Sequence, residues 1–89
     1  MCLMMIKIDF FRVLADHNPD AVTLDGLDNA IIGISYDGKV VYSAEKIIQE
    51  LMVMNQWSRP LAQEWAEFNT FHKGYGEHSP VICHMVEDL

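Results

Sequence analysis

Two kinds of hydrophobic spacing alternate along the chain and divide it. Residues 31–36 and 39–43 are short β-favouring runs separated by Asp37-Gly38, a pair that tolerates the positive φ of a two-residue type I′ hairpin turn. Such a turn sets Tyr36 opposite Lys39, Ile34 opposite Val41 and Gly33 opposite Tyr42. A G1-bulge turn would slip the pairing by one residue and exchange every partner. In either register both faces of the hairpin stay apolar, more than one helical layer readily covers.

The spacing then lengthens from two to the helical three and four. Ala44, Ile47, Ile48, Leu51 and Met52 recur on one helical face, with Glu45, Lys46, Gln49 and Glu50 off it and Val53 almost opposite. Ser43 is placed to cap this helix, predicted over residues 44–55. A second helix is predicted over residues 59–72, with Ser58 as N-cap and Pro60 in its first turn. Its apolar stripe reads Leu61, Ala62, Trp65, Phe68, Asn69 and His72, with Gln63, Glu67 and Thr70 opposite. On that reading Trp65 belongs to the core. Gly74 ends the helix, residues 74–80 form an exposed loop, and residues 81–86 alternate as a closing strand.

Ahead of the hairpin, residues 9–17 suit a short helix with Phe10, Val13, Leu14 and His17 on one side, although residues 7–11 could extend a strand instead. Asn18-Pro19 stops the helix, because the residue before proline is driven out of the α region. Residues 21–29 are turn-rich around Asp25-Gly26. The sum is one α+β domain spanning residues 1–89: a small antiparallel sheet, made of the hairpin and the C-terminal strand, packed against two or three helices.

Composition sharpens this picture at three points. A hydrophobic fraction of 51% is high for 89 residues and implies apolar surface left outside, for which a homodimer is the simplest use. Thirteen acids against six bases, a formal charge of −7, exclude nucleic-acid binding through a basic patch. Asp16, Asp20, Asp25 and Asp28 read as a solvated acidic loop. No run approaches a membrane span, and two cysteines without a secretory signal imply free thiols in the cytoplasm.

Chemistry-bearing residues are few. Asn69 shares a face with Trp65 and Phe68, where an unpaired amide would be costly; it either satisfies the neighbouring glycine-rich loop or points into a ligand pocket. His72 and His78 flank that loop and would share the pocket. No ligand spacing for zinc is present, and Cys83 and His84, adjacent on a strand, point to opposite faces. No metal and no cofactor are therefore expected. Trp57, in the inter-helix connection, is the best candidate for an exposed interface anchor, with Val53, Phe71 and Tyr75 completing a binding patch.

The segments LDNAIIGISYDGKVVYSAEKIIQEL, EFN and GYGEHSP, followed by a hydrophobic strand, resemble small proteins of unassigned activity encoded by bacteriophages and bacteria. The resemblance covers residues 20–82. It implies a phage-type accessory protein and brings no catalytic residues with it. The expectation is a small acidic, non-enzymatic module that binds a host protein. The alternative is a ligand- or metal-binding protein or enzyme built on Asn69, His72 and His78.

Overall fold

A computed structural model describes residues 3–71 and 76–89, with side chains described from Phe10 onward. The element order is α1 (Leu3–His17), β1 (Ile31–Ile34), β2 (Val40–Ser43), α2 (Ala44–Asn55), α3 (Arg59–Ala66) and β3 (Val81–Cys83). This is a small α+β fold with a three-stranded sheet in the order β1-β2-β3. Helix α1 begins earlier than the sequence pattern suggests, and its last turn closes as expected, the Asn18 N–H bonding the Leu14 carbonyl at 2.7 Å.

The hairpin forms, in the slipped register. Ile34 pairs with Val40 and Gly33 with Val41, while the Gly38 N–H closes on the Ser35 carbonyl at 3.0 Å. The turn therefore holds Tyr36, Asp37 and Gly38. Only Gly38 has positive φ, +87°, which excludes the type I′ turn and leaves the G1-bulge form. Asn18, twenty residues earlier in the chain, braces this turn. Its Nδ2 donates to the Gly38 carbonyl at 3.2 Å, and its Cβ would lie 3.0 Å from any Cβ added at that glycine.

A second irregularity falls at Ile32, between the Ile31–Tyr42 and Gly33–Val41 pairs. Residues 31 and 34 would face opposite ways on a regular strand. The extra residue brings Ile31 and Ile34 onto one face with Val40, Tyr42 and Ile82, and all five join the core. The cost is Ile32, which is turned outward.

Strand β3 pairs with β2 in parallel, Val41 to Val81 and Ser43 to Cys83. The sheet is thus mixed rather than antiparallel, as expected when the whole of residues 44–80 crosses over between two strands. Ser43 caps α2 as its position implies, its hydroxyl accepting from the Lys46 N–H at 3.2 Å. Ala44, Ile47, Ile48 and Leu51 of α2 are buried, and the remaining core comes from Leu14, Leu24, Leu27, Ala30, Ala62 and Ala66.

The largest departure concerns α3. Its inward side is Ala62 and Ala66, both fully buried, continued by Thr70 where the helix widens into a π turn at Glu67–Phe71. The large apolar residues face solvent: Leu61 is 45% exposed, Trp65 39% and Phe68 78%. Trp65 is not a core residue. Small side chains on the inner face allow α3 to lie close against α2, and the helical geometry then carries Leu61, Trp65 and Phe68 outward.

Candidate functional site

A cleft of about 680 Å³ opens between the loop before the hairpin, the end of α2 and the outer edge of α3. Its walls carry Leu24, Asp25 and Leu27 from the loop, and Leu51, Met54 and Asn55 from α2; Trp57, Trp65, Asn69 and Thr70 close the far side. Each wall has a local cause.

The loop wall turns at Leu24–Leu27, where the Leu27 N–H bonds the Leu24 carbonyl at 3.2 Å and Gly26 takes φ +79°. Glycine fits here twice over, since an added Cβ would also sit 3.3 Å from the Met54 methyl. The wall is fastened to the sheet by one bond: the Leu24 N–H donates to the hydroxyl of fully buried Tyr42 at 2.7 Å. Burial pushes the Tyr42 phenol up from its ordinary value, the Leu24 bond partly opposes this, and the charges of Asp28 and Asp25 add to it. Both carboxylates therefore act on the same buried oxygen.

The α2 wall ends in a left-handed residue. Gln56 has φ 55°, the only non-glycine with positive φ among the described residues, and the Trp57 N–H closes back on the Met52 carbonyl at 3.1 Å. This Schellman-type ending reverses the chain and swings Trp57 toward Trp65. The two indoles sit 6.0 Å apart between ring centroids, inclined at 48°. The start of α3 is held by Arg59, which grips both carboxylate oxygens of Glu45 at 2.6 Å. Arg59 keeps the Glu45 carboxyl at about 2, and Gln49 adds a further hydrogen bond in the same direction.

The residues singled out from the sequence are distributed as follows. Trp57 and Asn69 line the cleft. Asn69 is exposed, and its Nδ2 bonds the Trp65 carbonyl one turn back at 3.0 Å. Val53 is exposed beside a separate depression of about 300 Å³ with Asn29, Lys46, Gln49 and Glu50. Phe71 is half-buried against the core. His78 lies elsewhere: its Nδ1 is 3.1 Å from Asn18 Nδ2, and its carbonyl accepts from the Val22 N–H at 3.2 Å. His72 and Tyr75 lie outside the described residues. Asn69 and His78 thus do not meet in one cavity.

Trp65, Asp25 and Met54 belong to the cleft without having been marked as site residues. Asp25 reads as one more acid in a soluble loop. The apolar stripe by itself predicts Trp65 in the core. The signal for its true orientation is the spacing of small residues, Ala62, Ala66 and Thr70, at successive fours. Among the described residues no group of three or more His, Cys, Asp or Glu is placed to hold a metal ion. Cys83 is a free, half-buried thiol, and no helix among them is long and apolar enough to cross a membrane. In comparison with known proteins, the chain matches no family model, no curated protein and no solved structure.

Proposed function

We propose that the chain is a small acidic, non-enzymatic protein-interaction module whose binding face is the outer side of α3 together with the Trp57–Trp65 cleft. One observation carries the reading. Leu61 and Trp65 of α3 and Phe68 of the π turn that continues it stand at helical spacing on one side, and that side faces solvent. Single exposed apolar residues need no explanation; three on one helical face, next to an aromatic-lined cleft, mark a contact surface. A host protein is proposed as the partner.

The test is affinity capture from a bacterial lysate with the wild-type chain and with a Leu61→Gln/Phe68→Gln variant. The variant should keep its circular dichroism, because both side chains are on the surface. A protein recovered by the wild type and lost by the variant supports the reading. Equal recovery by both, or a purified chain carrying a tightly held metabolite and no protein partner, overturns it in favour of a ligand-binding role for the cleft around Asn69.

A further inference from the structure

On the reading just given, we infer that the occupant of the cleft is a basic, amphipathic segment of the partner protein, packing a cationic side chain against the Trp57–Trp65 pair. Charge complementarity selects it. Among the described residues Asp25 is the charged member of the cleft lining, and no Lys, Arg or His of theirs accompanies it there. Glu64 follows Leu61 by three residues and precedes Phe68 by four, so it rises from the exposed stripe itself. The ion pairs among the described residues join Lys39 to Asp37 and Arg59 to Glu45, and neither includes Asp25 or Glu64. Asp28, at the far end of the same turn, adds to the negative field that Tyr42 registers.

The cleft chemistry fits the same ligand. Inclined indoles 6.0 Å apart offer π faces to a guanidinium or ammonium group, and Met54 supplies a polarisable apolar floor. A carboxylate at the rim then receives the charge. The amide nitrogens of Asn55 and Asn69 bond the Leu51 and Trp65 carbonyls, which leaves their oxygens to accept from backbone N–H groups of an extended segment. A volume of about 680 Å³ exceeds one side chain and suits a short stretch of peptide. A second copy of the chain is the poorer occupant. It carries −7 itself, and a symmetric contact through α3 would set Glu64 and its neighbours against their own kind.

The experiment pans a random displayed peptide library on the wild-type chain, with the Phe68→Gln variant as counter-selection. Sequences that pair Lys or Arg with Leu, Ile or aromatic residues should be enriched. One enriched peptide is then titrated by tryptophan fluorescence, since both of the chain's tryptophans line the cleft. Its affinity should fall with salt, and should drop about tenfold in an Asp25→Asn/Glu64→Gln variant, whose salt dependence should flatten. Enrichment of neutral or acidic peptides, or an affinity unchanged in the charge variant, overturns the inference while leaving the module reading intact. So does light scattering that shows a dimer dissociated by Phe68→Gln, which assigns the face to a second copy. Lysate capture that ignores Leu61 and Phe68 instead overturns the module reading beneath it.

Discussion

Replacing Tyr42 with phenylalanine removes one oxygen from a fully buried ring and leaves the Leu24 N–H without its acceptor. The ring itself keeps its packing against the sheet face and α2. An orphaned buried donor costs about 1–3 kcal/mol, and relief from burying the phenol oxygen returns a part of that. The expected net loss is about 1–2 kcal/mol, or roughly 4–16 °C of melting temperature in a domain of this size. Because Leu24 and Asp25 form the loop wall of the cleft, the damage should begin there. Native-state amide exchange supplies the local reading: the Leu24 amide should lose protection beyond the global change, while amides of β2 should follow the global change only. Tyr36, fully exposed in the hairpin turn, is the control, and Tyr36→Phe should leave stability unaltered. A Tyr42→Phe protein with wild-type melting and unchanged Leu24 exchange would refute the reasoning. Alkaline titration tests the burial of the same oxygen, which the Leu24 bond only partly offsets. The Tyr42 phenol is raised above 10.0 in the folded chain, so its contribution is whole below pH 10 and is lost as pH climbs through the folded value.

Three further outcomes follow from individual residues. Gln56→Gly should stabilise the chain by about 1 kcal/mol in chemical denaturation, since a left-handed residue with a Cβ carries a penalty of about 1–2 kcal/mol that glycine escapes and greater freedom when unfolded offsets in part. Gly38→Val should destabilise it by more than about 2 kcal/mol, because φ +87° is strained for a β-branched residue and the new Cβ meets Asn18; unchanged melting would rule out the G1-bulge turn. Glu45 is depressed from 4.5 to about 2 when folded, so the Arg59 pair stabilises fully above pH 4.5 and is lost as pH falls toward 2. Solvent at the half-exposed Arg59 screens the pair, so the effect is small, and the stability difference between wild type and Glu45→Gln should shrink across that window in urea titrations.

What could be read from the sequence was what depends on near neighbours. Ser43 caps α2 because a hydroxyl at that place reaches the Lys46 N–H whatever the rest of the chain does. Asn18-Pro19 ends α1 and Gly38 turns the hairpin for reasons equally local. The register was not local. Two turn forms fit Asp37-Gly38, and the one that forms is braced by Asn18, twenty residues away in sequence, binding the Gly38 carbonyl. The bulge at Ile32 likewise answers a demand of the core, which takes both Ile31 and Ile34. Parallel pairing of β3 follows from the long crossover, a property of chain routing that alternation of residues cannot express. Of the cleft, Trp57 and Asn69 were legible as candidates. Asp25 was not, since its role comes only from the two tryptophans brought opposite it.

The orientation of α3 joins the fold to its use. A helix carrying Leu, Trp and Phe at helical spacing ordinarily turns them inward, because full burial of each such side chain gains about 1.5–3 kcal/mol. Here the core on that side is already filled by Ile47, Ile48 and Leu51 of α2, and the space left admits Ala62, Ala66 and Thr70. Rotating α3 to bury Trp65 fully would drive a large ring into close-packed side chains and turn the two alanines to water. Overpacking of that kind costs about 1–3 kcal/mol, and the Glu45–Arg59 grip at the start of α3 would also have to break. The outward stripe is thus the stable arrangement of the isolated chain, yet it leaves much of Phe68 and Leu61 in water. On the proposed reading, association with a partner would recover that apolar burial without disturbing the core, and Asp25 and Glu64 at its edge would select the partner.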